Sequence, residues 1–279
     1  MIKEKTSVQG GIFLNSDFHI HSSFSADSTA PMASMIEEGI RRGLKTMCFT
    51  EHLDYDYVAD GNLFEVDTPA YLDELNRCRQ LYGKKTELLF GIELGLEPRL
   101  SGRLSEYVRQ WDFDFIIGSS HTVNGADPYY PAFYKGRSEK DCYLEYFQSI
   151  LQNLEAFSDF DVYGHIDYIV RYGPNKNRFY SYEKYKDILD EILKSILSHH
   201  IGLELNTAGY KYGLNAPNPH PDILKRYREL GGEILTVGSD GHAPEHLAYA
   251  FDKVRDVLLE CGFRYYTVFR NRKPEFIKL

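Results

Sequence analysis

The stretch Asp17-Phe18-His19-Ile20-His21 is a short segment of strand-forming character that carries two histidines at alternate positions. Side chains alternate between the two faces of a strand, so His19 and His21 are expected to point to the same side. Two imidazoles on one side of a strand can bind one metal ion or a pair of ions. Two hydrogen-bonded surface histidines would give the same pattern, so the rest of the chain has to decide between these interpretations.

Six further segments rich in β-branched and aromatic residues alternate along the chain with segments of helical periodicity. The seven predicted strands cover residues 17–21, 46–50, 87–93, 113–119, 160–165, 202–206 and 233–239. The seven predicted helices cover residues 32–42, 69–82, 100–109, 139–157, 182–199, 222–230 and 244–260. A strict βαβα order predicts an α/β fold with a parallel sheet, either closed into a barrel or open and doubly wound.

Residue types that bind metals stand at the end of the predicted strands, together with one asparagine. In a barrel the carboxyl ends of all strands meet on one face, so these side chains would converge on one site. In an open sheet they would be spread along an edge, so convergence favours the barrel. The residues are His19, His21, His52, Glu93, His121, His165, Asn206, Asp240 and His242.

Six histidines with two or three carboxylates and no thiolate suit Zn, Mn or Fe better than Ca or an iron–sulfur cluster. A tetrahedral zinc takes about four ligands, so nine candidates imply two or three ions with a bridging carboxylate. Glu93 is the natural bridge. The four cysteines are widely separated and form no CxxC pair, which argues against a zinc ribbon or a redox dithiol.

The composition indicates an ordinary folded chain. Apolar residues make up 43% and charged residues 26% of the 279 residues, so neither disorder nor a fibrous form is expected, and one domain over residues 1–279 is favoured. The net charge of −9 disfavours nucleic acid as a partner but leaves room for a small anionic substrate. The N-terminal stretch lacks a secretory signal and no apolar run is long enough to span a membrane, so we expect a cytoplasmic protein without a membrane partner.

Seven motifs together resemble the PHP (polymerase and histidinol phosphatase) superfamily, and within it the histidinol-phosphatase branch. They extend from about residue 17 to about residue 251, and their combination is specific although each is weak alone. The resemblance implies a distorted (β/α)7 TIM-like barrel of the PHP type, and it adds Asp27 to the metal ligands. The motifs are DFHIHSSFSADS, TEHLD, GIELG, GSSH, YGHIDYIVRYG, LELNTAG and VGSDGH.

The same resemblance implies three divalent metal ions, with Zn, Mn or Fe as candidates. Glu93, Asp240 and His242 would be the catalytic residues, and either Asp240, His242 or a metal-bound water would protonate the leaving alkoxide. The implied groups are His19, His21, Glu93 and Asp240 for one ion, Glu93, His121 and His165 for a second, and Asp27, His52 and His242 for a third.

Phosphate oxygens need cations on the same face of the barrel. Arg171 and Lys211, in the loops after the fifth and sixth predicted strands, are the best placed, and Lys176 and Arg178 are weaker candidates. The family pattern would place an arginine near Lys211, so the lysine is a departure. An aromatic loop after the fourth predicted strand either walls a pocket for the leaving group or covers the barrel rim; its residues are Tyr129, Tyr130, Phe133 and Tyr134.

The function that the resemblance implies is histidinol-phosphatase: metal-dependent hydrolysis of L-histidinol phosphate to L-histidinol and phosphate in histidine biosynthesis. One alternative is a phosphoesterase of the same family that acts on another small monoester, a nucleotide or phosphotyrosine. A non-enzymatic metal-storing protein is a further alternative, which the phosphate-side cations argue against. A metal-dependent amidohydrolase is disfavoured because Glu93 stands where such enzymes commonly use a lysine. The oligomeric state does not follow from the sequence.

Overall fold

A computed structural model describes residues 14–279. The N-terminal stretch, which was expected to carry no secretory signal, lies almost entirely outside the described residues. Strands and helices alternate along the described part of the chain. The strands are β1 (Ser16–Ile20), β2 (Thr46–Ala59), β3 (Asn62–Glu65), β4 (Glu87–Gly95), β5 (Phe115–Ser119), β6 (Val162–Tyr163), β7 (Gly202–Asn206), β8 (Leu235–Gly238), β9 (Tyr265–Arg270) and β10 (Lys273–Lys278). The helices are α1 (Met32–Arg42), α2 (Thr68–Tyr82), α3 (Ser101–Val108), α4 (Glu139–Ala156), α5 (Lys186–Ser198), α6 (Ala208–Lys211), α7 (Pro221–Glu229) and α8 (Phe251–Glu260).

Seven parallel strands form the main sheet in the order β1-β2-β4-β5-β6-β7-β8. The first and last strands meet through a parallel bridge between Ile20 and Gly241, where the His21 amide donates to the Gly241 carbonyl over 3.0 Å. The sheet is therefore a nearly closed barrel, distorted where β6 contributes only two residues. The prediction of a distorted (β/α)7 barrel is confirmed.

Helices cover the outside of the barrel, as the burial of their apolar faces shows. Helix α1 buries Met32, Met35, Ile36 and Gly39. At Gly39 the helix comes so close to β2 that a Cβ atom would lie 2.2 Å from the sulfur of Met47. Glycine at this position therefore sets the distance between α1 and the strand that carries His52.

Strand β2 was predicted to end at residue 50, but it continues to Ala59 and turns back into β3. The turn residues Asp60 and Gly61 have φ values of 50° and 82°, as Asp-Gly pairs do in tight hairpins. The alternation of polar and apolar residues after His52 was a strand signal that the prediction stopped short of using. We call residues 53–65 the β2–β3 hairpin; it projects beside the carboxyl ends of the barrel strands.

A second hairpin, β9–β10, was not predicted at all, and it spans the opposite end of the barrel. It contacts residues at the amino-terminal starts of several strands. Arg270 pairs with Glu87 at 2.6 Å, and the Arg272 amide donates to the carbonyl of Asp114. Phe269 packs on Phe115 with ring centroids 5.1 Å apart. The hairpin therefore covers the amino-terminal mouth of the barrel.

The last predicted helix, 244–260, is interrupted. A 3-10 turn (Pro244–His246) and helix α8 are separated by a loop in which Ala248 and Ala250 have φ values of 46° and 54°. The Ala248 amide donates to the Asp17 carboxylate over 3.0 Å, and this bond ties the loop to β1. The predicted helix 182–199 likewise begins as a 3-10 turn (Tyr182–Tyr185) before α5. Among residues 14–279, no helix is long and apolar enough to cross a membrane.

Candidate metal centre and active site

The candidate ligands predicted from the sequence all lie at the carboxyl-terminal end of the barrel. They stand on β1, β2 and β4 or in the loops that follow β1, β5, β6 and β8. Five of the nine are at most 7% exposed, His52 and His121 are 8% exposed, and His242 is partly exposed. Asp27 is the most exposed of the nine, which places it at the opening of the site. The nine residues are His19, His21, Asp27, His52, Glu93, His121, His165, Asp240 and His242.

Glu93 is the centre of this cluster. Its carboxylate is fully buried, and its two oxygens face imidazole nitrogens from four different segments of the chain. The Ser119 hydroxyl also donates to it over 2.7 Å. The nitrogens within 3.5 Å belong to His19 (3.1 Å), His21 (3.5 Å), His52 (3.1 Å), His121 (3.3 Å) and His165 (3.0 Å).

Asp240 and Asp27 complete the cluster on the side of the last strand. Asp240 Oδ1 lies 3.9 Å from His19 Nε2 and 3.5 Å from His242 Nδ1. Asp240 has a φ of 53°, a left-handed conformation that is uncommon for a residue other than glycine. Asp27 Oδ2 lies 3.1 Å from His242 Nε2 and 3.6 Å from His52 Nε2.

Groups of three ligand atoms within 4.8 Å of one another agree in part with the predicted groups. His19, His21 and Glu93 form one such group, and Glu93, His121 and His165 form another. The second group was predicted, and the first is part of a predicted group that also included Asp240. Three groups were not predicted: His21 with His52 and His242, Asp240 with His19 and His165, and Asp54 with His52 and His121.

The orientation of the imidazoles shows that this donor set fits divalent metal ions. Four histidines use Nδ1 in hydrogen bonds to oxygen atoms of neighbouring residues, and such bonds fix the tautomer that leaves Nε2 free to bind a metal. The partners are Glu204 for His19 (2.6 Å), Ser25 for His21 (3.0 Å), Asp54 for His121 (2.7 Å) and the Asp240 carbonyl for His242 (3.1 Å).

Several atoms that face the centre of the cluster are buried and have no hydrogen-bond partner within residues 14–279. Buried polar groups are usually satisfied, so a set of unsatisfied nitrogens and oxygens in one place indicates a missing ligand. These atoms are His19 Nε2, His21 Nε2, His52 Nδ1, Glu93 Oε2, His165 Nδ1 and His242 Nε2.

The electrostatics of the cluster favour bound cations. Burial would raise the pKa of Glu93, but the surrounding imidazoles, His19 first, outweigh burial and hold it well below its usual range. Burial, followed by the charges of His242 and His52, lowers the pKa of His21, which keeps this imidazole in the neutral form that binds metals. Burial also opposes a positive charge on His19, yet Glu204 and Glu93 raise its pKa well above the ordinary value. A proton and a metal ion therefore compete for this site.

Sequence reasoning missed the buried residues that hold the ligands. Asp54, Glu204 and Glu51 are at most 5% exposed, and Glu51 receives the Ser25 hydroxyl bond at 2.6 Å. Asp17 accepts bonds from the backbone amides of Ser239 and Ala248, which fix the loop that carries Asp240. A carboxylate inside an apolar strand, as in 202–206, is a signal that could have identified Glu204.

Arg171 lies where it was predicted, beside the cluster, and its side chain is almost fully buried. Its guanidinium donates to Asp240 Oδ2 (2.8 Å), Asn218 Oδ1 (2.8 Å) and Asn206 Oδ1 (2.9 Å). A guanidinium has five N–H groups, so two remain for a ligand.

The other predicted cations are placed differently. Lys211 Nζ lies 3.4 Å from the carbonyl oxygen of Asp240, behind that residue. Lys176 donates to the carbonyl of Tyr212, and Arg178 lies over the ring of Phe179. Within the described part of the chain, none of these three residues lines the cavity above the cluster.

The cluster forms the base of a cavity of about 250 Å³. The β2–β3 hairpin, the loop after β5 and the loops after β6 and β7 form its outer wall. Of the aromatic loop, Tyr129 and Tyr130 line this wall, whereas Phe133 and Tyr134 are buried. The outer lining residues are Tyr57, Ala59, Asp60, Phe64, Asp127, Tyr129, Tyr130, Tyr168, Tyr172 and Tyr212.

A nearly closed β/α barrel with a carboxylate-bridged group of histidines at its carboxyl end is the architecture of a metallohydrolase. The chain belongs to the PHP domain family, whose model matches residues 17–208, more than half of the sequence.

The relatives and solved structures agree with this family. The histidinol-phosphatase of Lactococcus lactis subsp. lactis (strain IL1403) is 30% identical over 258 residues, 92% of this chain and 95% of the relative. A probable histidinol-phosphatase of Clostridium acetobutylicum is 32% identical over 248 residues, 89% of this chain and 94% of the relative. The crystal structure of the Lactococcus lactis histidinol phosphate phosphatase, complexed with zinc, L-histidinol and phosphate, is similar with a TM-score of 0.85 and 29% identity over 94% of this chain and 98% of that one.

Replacing Asp54 with asparagine is expected to weaken metal binding by about tenfold to a hundredfold, as is usual for residues that orient a metal-binding histidine. The amide is a poorer acceptor for His121 Nδ1, which Asp54 holds at 2.7 Å. The measurement is the metal content of the purified protein against a competing chelator. Asp56→Asn is the matched control, since Asp56 lies two residues further on β2 and is exposed. Equal metal affinity of the two variants would contradict the expected role of Asp54.

Proposed function

We propose that this protein is a histidinol-phosphatase: it hydrolyses L-histidinol phosphate to L-histidinol and phosphate, in histidine biosynthesis. The observation that carries the proposal is the Glu93-centred cluster at the base of a cavity whose wall presents Arg171. Support also comes from the relatives named histidinol-phosphatase, which match nearly the whole chain.

We propose three divalent ions, Zn, Mn or Fe, as cofactors. His19, His21, Glu93 and Asp240 would hold one ion, Glu93, His121 and His165 a second, and Asp27, His52 and His242 a third. Bound there, such ions supply Lewis acidity, which lowers the pKa of water and neutralises charge on phosphate oxygens. Zinc in the crystal structure of the Lactococcus lactis enzyme supports this proposal.

The chain's own residues then bind and orient the ester. The two remaining N–H groups of Arg171 bind phosphate oxygens in a bidentate manner, and the bonds to Asn206 and Asn218 keep the guanidinium in place. Asp240 contacts Arg171, and His242 contacts Asp240, so both lie beside the bound phosphate. Burial would raise the pKa of Asp240, but the charges of His19 and Arg171 hold it well below its usual range, so Asp240 is a carboxylate. We assign to Asp240 and His242 the passage of a proton from the attacking water to the leaving oxygen: Asp240 takes the proton up from the water, and the leaving oxygen receives it as its bond to phosphorus breaks. Lys211, behind Asp240, adds positive charge to the same region.

We further propose that residues 1–279 form one domain that works in the cytoplasm on a small phosphate monoester and without nucleic acid. One continuous cluster of buried apolar residues, from Leu14 to Leu279, supports a single domain. The net charge of −9 supports the exclusion of nucleic acid.

Steady-state phosphate release by the metal-loaded protein tests the proposed function. We expect kcat/KM for L-histidinol phosphate to exceed that for nucleotides, sugar phosphates and phosphotyrosine by at least about tenfold, because the pocket is built for one leaving group. A chelator should abolish turnover, and added zinc or manganese should restore it. If another ester of the panel is the better substrate, the proposed substrate is wrong but the proposed phosphoesterase activity stands. If no ester is hydrolysed in a metal-dependent manner, both proposals are wrong.

A further inference from the structure

We propose that Asp167 is a positioning residue for phosphate binding: it acts through Asn218 to set the orientation of the Arg171 guanidinium. This inference rests on the proposed function, in which Arg171 binds phosphate oxygens. Asp167 lies in the loop after β6 and directly precedes the 3-10 turn (Tyr168–Arg171) that carries Arg171. It is neither one of the candidate metal ligands nor, among the described residues, part of the cavity lining.

Asp167 is a buried acidic residue to which the metal cluster and the proposed chemistry give no role. Its side chain is 1% exposed, and it forms no ion pair within residues 14–279. The groups that donate to it are neutral: Asn218 Nδ2 donates to Oδ1 over 2.6 Å, and the His220 backbone amide donates to Oδ2 over 2.9 Å. A buried carboxylate without a cationic partner is a poor source of stability, which favours a role in the site over a purely structural one.

The side chain of Asn218 connects Asp167 to Arg171. Its Oδ1 accepts from Arg171 Nε over 2.8 Å, while its Nδ2 donates to Asp167. A guanidinium can only donate, and both oxygens of the Asp167 carboxylate receive N–H groups. The Asn218 amide therefore has one orientation that satisfies both neighbours. Without the acceptor at Asp167, the amide is free to turn and to present an N–H group to Arg171 Nε.

A second asparagine completes the frame around the guanidinium. Asn206 Oδ1 accepts from Arg171 Nη2 over 2.9 Å, and the backbones of Asn206 and Asn218 exchange two hydrogen bonds of 2.7 and 2.8 Å. Both asparagines are fully buried. Because a guanidinium is planar and rigid, a displacement of Nε also moves the two N–H groups that remain for the phosphate. Loss of the acceptor at Asp167 is thus transmitted to the phosphate.

Replacing Asp167 with asparagine is expected to weaken the binding of inorganic phosphate about tenfold and to lower kcat/KM for L-histidinol phosphate by about tenfold to a hundredfold. The new amide has one acceptor atom, so it cannot receive both Asn218 Nδ2 and the His220 amide. The measurements are titration calorimetry with inorganic phosphate on the metal-loaded protein and steady-state kinetics. The metal content should equal that of the wild type, because the two donors to the Asp167 carboxylate belong to residues outside the candidate ligands.

Asp161→Asn is the matched control for the loss of a buried carboxylate. Asp161 is 9% exposed and accepts the backbone amide of Ile116 over 2.8 Å, as Asp167 accepts that of His220. It pairs with Arg272 of the β9–β10 hairpin, at the end of the barrel opposite the site. We expect Asp161→Asn to lower the temperature of unfolding but to leave the affinity for phosphate within about twofold of the wild type.

Exchanging the two side chains gives a readout that a merely structural role would not move. In the double variant Asp167→Asn, Asn218→Asp, the amide at position 167 donates to the carboxylate at position 218, and its oxygen still accepts the His220 amide. The carboxylate at position 218 also accepts from Arg171 Nε. Every donor then has an acceptor again, although the bond between the two positions runs in the opposite direction. We expect the affinity for phosphate to return to within about threefold of the wild type.

Unchanged phosphate affinity in Asp167→Asn, or a double variant that folds but binds phosphate no better than Asp167→Asn, would overturn the proposal. If Asp167→Asn does not fold, the double variant decides: affinity near the wild type supports the positioning role, and a loss of about tenfold or more overturns it. In the Arg171→Lys background, Asp167→Asn should cost about twofold or less, because its effect passes through the guanidinium, and an undiminished loss would contradict this route. Failure of the proposed phosphate site shows separately, as unchanged phosphate affinity in Arg171→Lys, and it would overturn the positioning role as well.

Discussion

Replacing Glu93 with glutamine is expected to lower kcat/KM for phosphate release by about a thousandfold or more, which corresponds to about 4 kcal/mol of transition-state stabilisation. Glu93 faces five imidazole nitrogens within 3.5 Å, and its charge is the one anion that all of them share. Glutamine preserves the shape but presents an N–H group to nitrogens that must face a metal. We therefore expect elemental analysis to show less bound metal together with the loss of turnover.

The matched control for Glu93→Gln is Glu87→Gln, in the first residue of the same strand. Glu87 pairs with Arg270 beneath the barrel, so its replacement leaves the ligand cluster intact. We expect turnover within about twofold of the wild type, because surface changes away from a site have small effects. Full metal content and full activity in Glu93→Gln would show that Glu93 is not part of the metal site.

Replacing Arg171 with lysine is expected to lower kcat/KM by about a hundredfold, the second-largest effect. The charge is kept, but lysine is a single point charge and cannot reproduce the planar fork that contacts Asp240, Asn206 and Asn218. The phosphate then loses the guanidinium that binds it through two N–H groups, and Asp240 loses the hydrogen bond that the same guanidinium donates to it. Arg171→Ala would in addition remove the buried guanidinium that Asp240, Asn206 and Asn218 share, so we expect it to lower the free energy of unfolding as well as the activity.

Steady-state kinetics measure the loss of kcat/KM in the Arg171 variants, and thermal unfolding measures their loss of stability. Arg178→Lys is the control, because Arg178 stands on the same loop but lies over Phe179 away from the cavity. Its kinetics should match the wild type. An Arg171→Lys variant with normal kcat and KM would show that phosphate is bound without this guanidinium.

Most strands of the barrel and the residues of the candidate metal cluster could be predicted from the sequence. Periodicity located the strands because buried parallel strands are continuous apolar runs, and the residue types at their ends indicated the candidate site. His19, Glu93 and His165 meet although they are distant in the sequence, since parallel strands bring their carboxyl ends together.

What escaped prediction depends on contacts between distant segments. Glu204 and Asp54 contact the site through hydrogen bonds to His19 and His121, and the sequence does not show these partners, although a carboxylate inside an apolar strand marks Glu204 as unusual. Lys211 and Arg171 were indistinguishable as loop cations, and only the fold shows that one lines the cavity while the other lies behind Asp240. The two hairpins did carry local strand signals that the prediction did not use: the alternation of polar and apolar residues after His52, and the aromatic and β-branched residues of Tyr265–Arg270.

The β9–β10 hairpin has a consequence for the order in which products leave. Because it covers the amino-terminal mouth, the ester, the water and both products of the proposed reaction share the opening at the carboxyl end of the barrel. In the proposed reaction, the phosphate would bind at the base of the cavity beside Arg171, and the alcohol would lie between the phosphate and the solvent. The alcohol must therefore depart first and inorganic phosphate last, so phosphate competes with the next ester molecule for the vacant site. Product inhibition by phosphate that is competitive with the ester would support this order of release, and noncompetitive inhibition would contradict it.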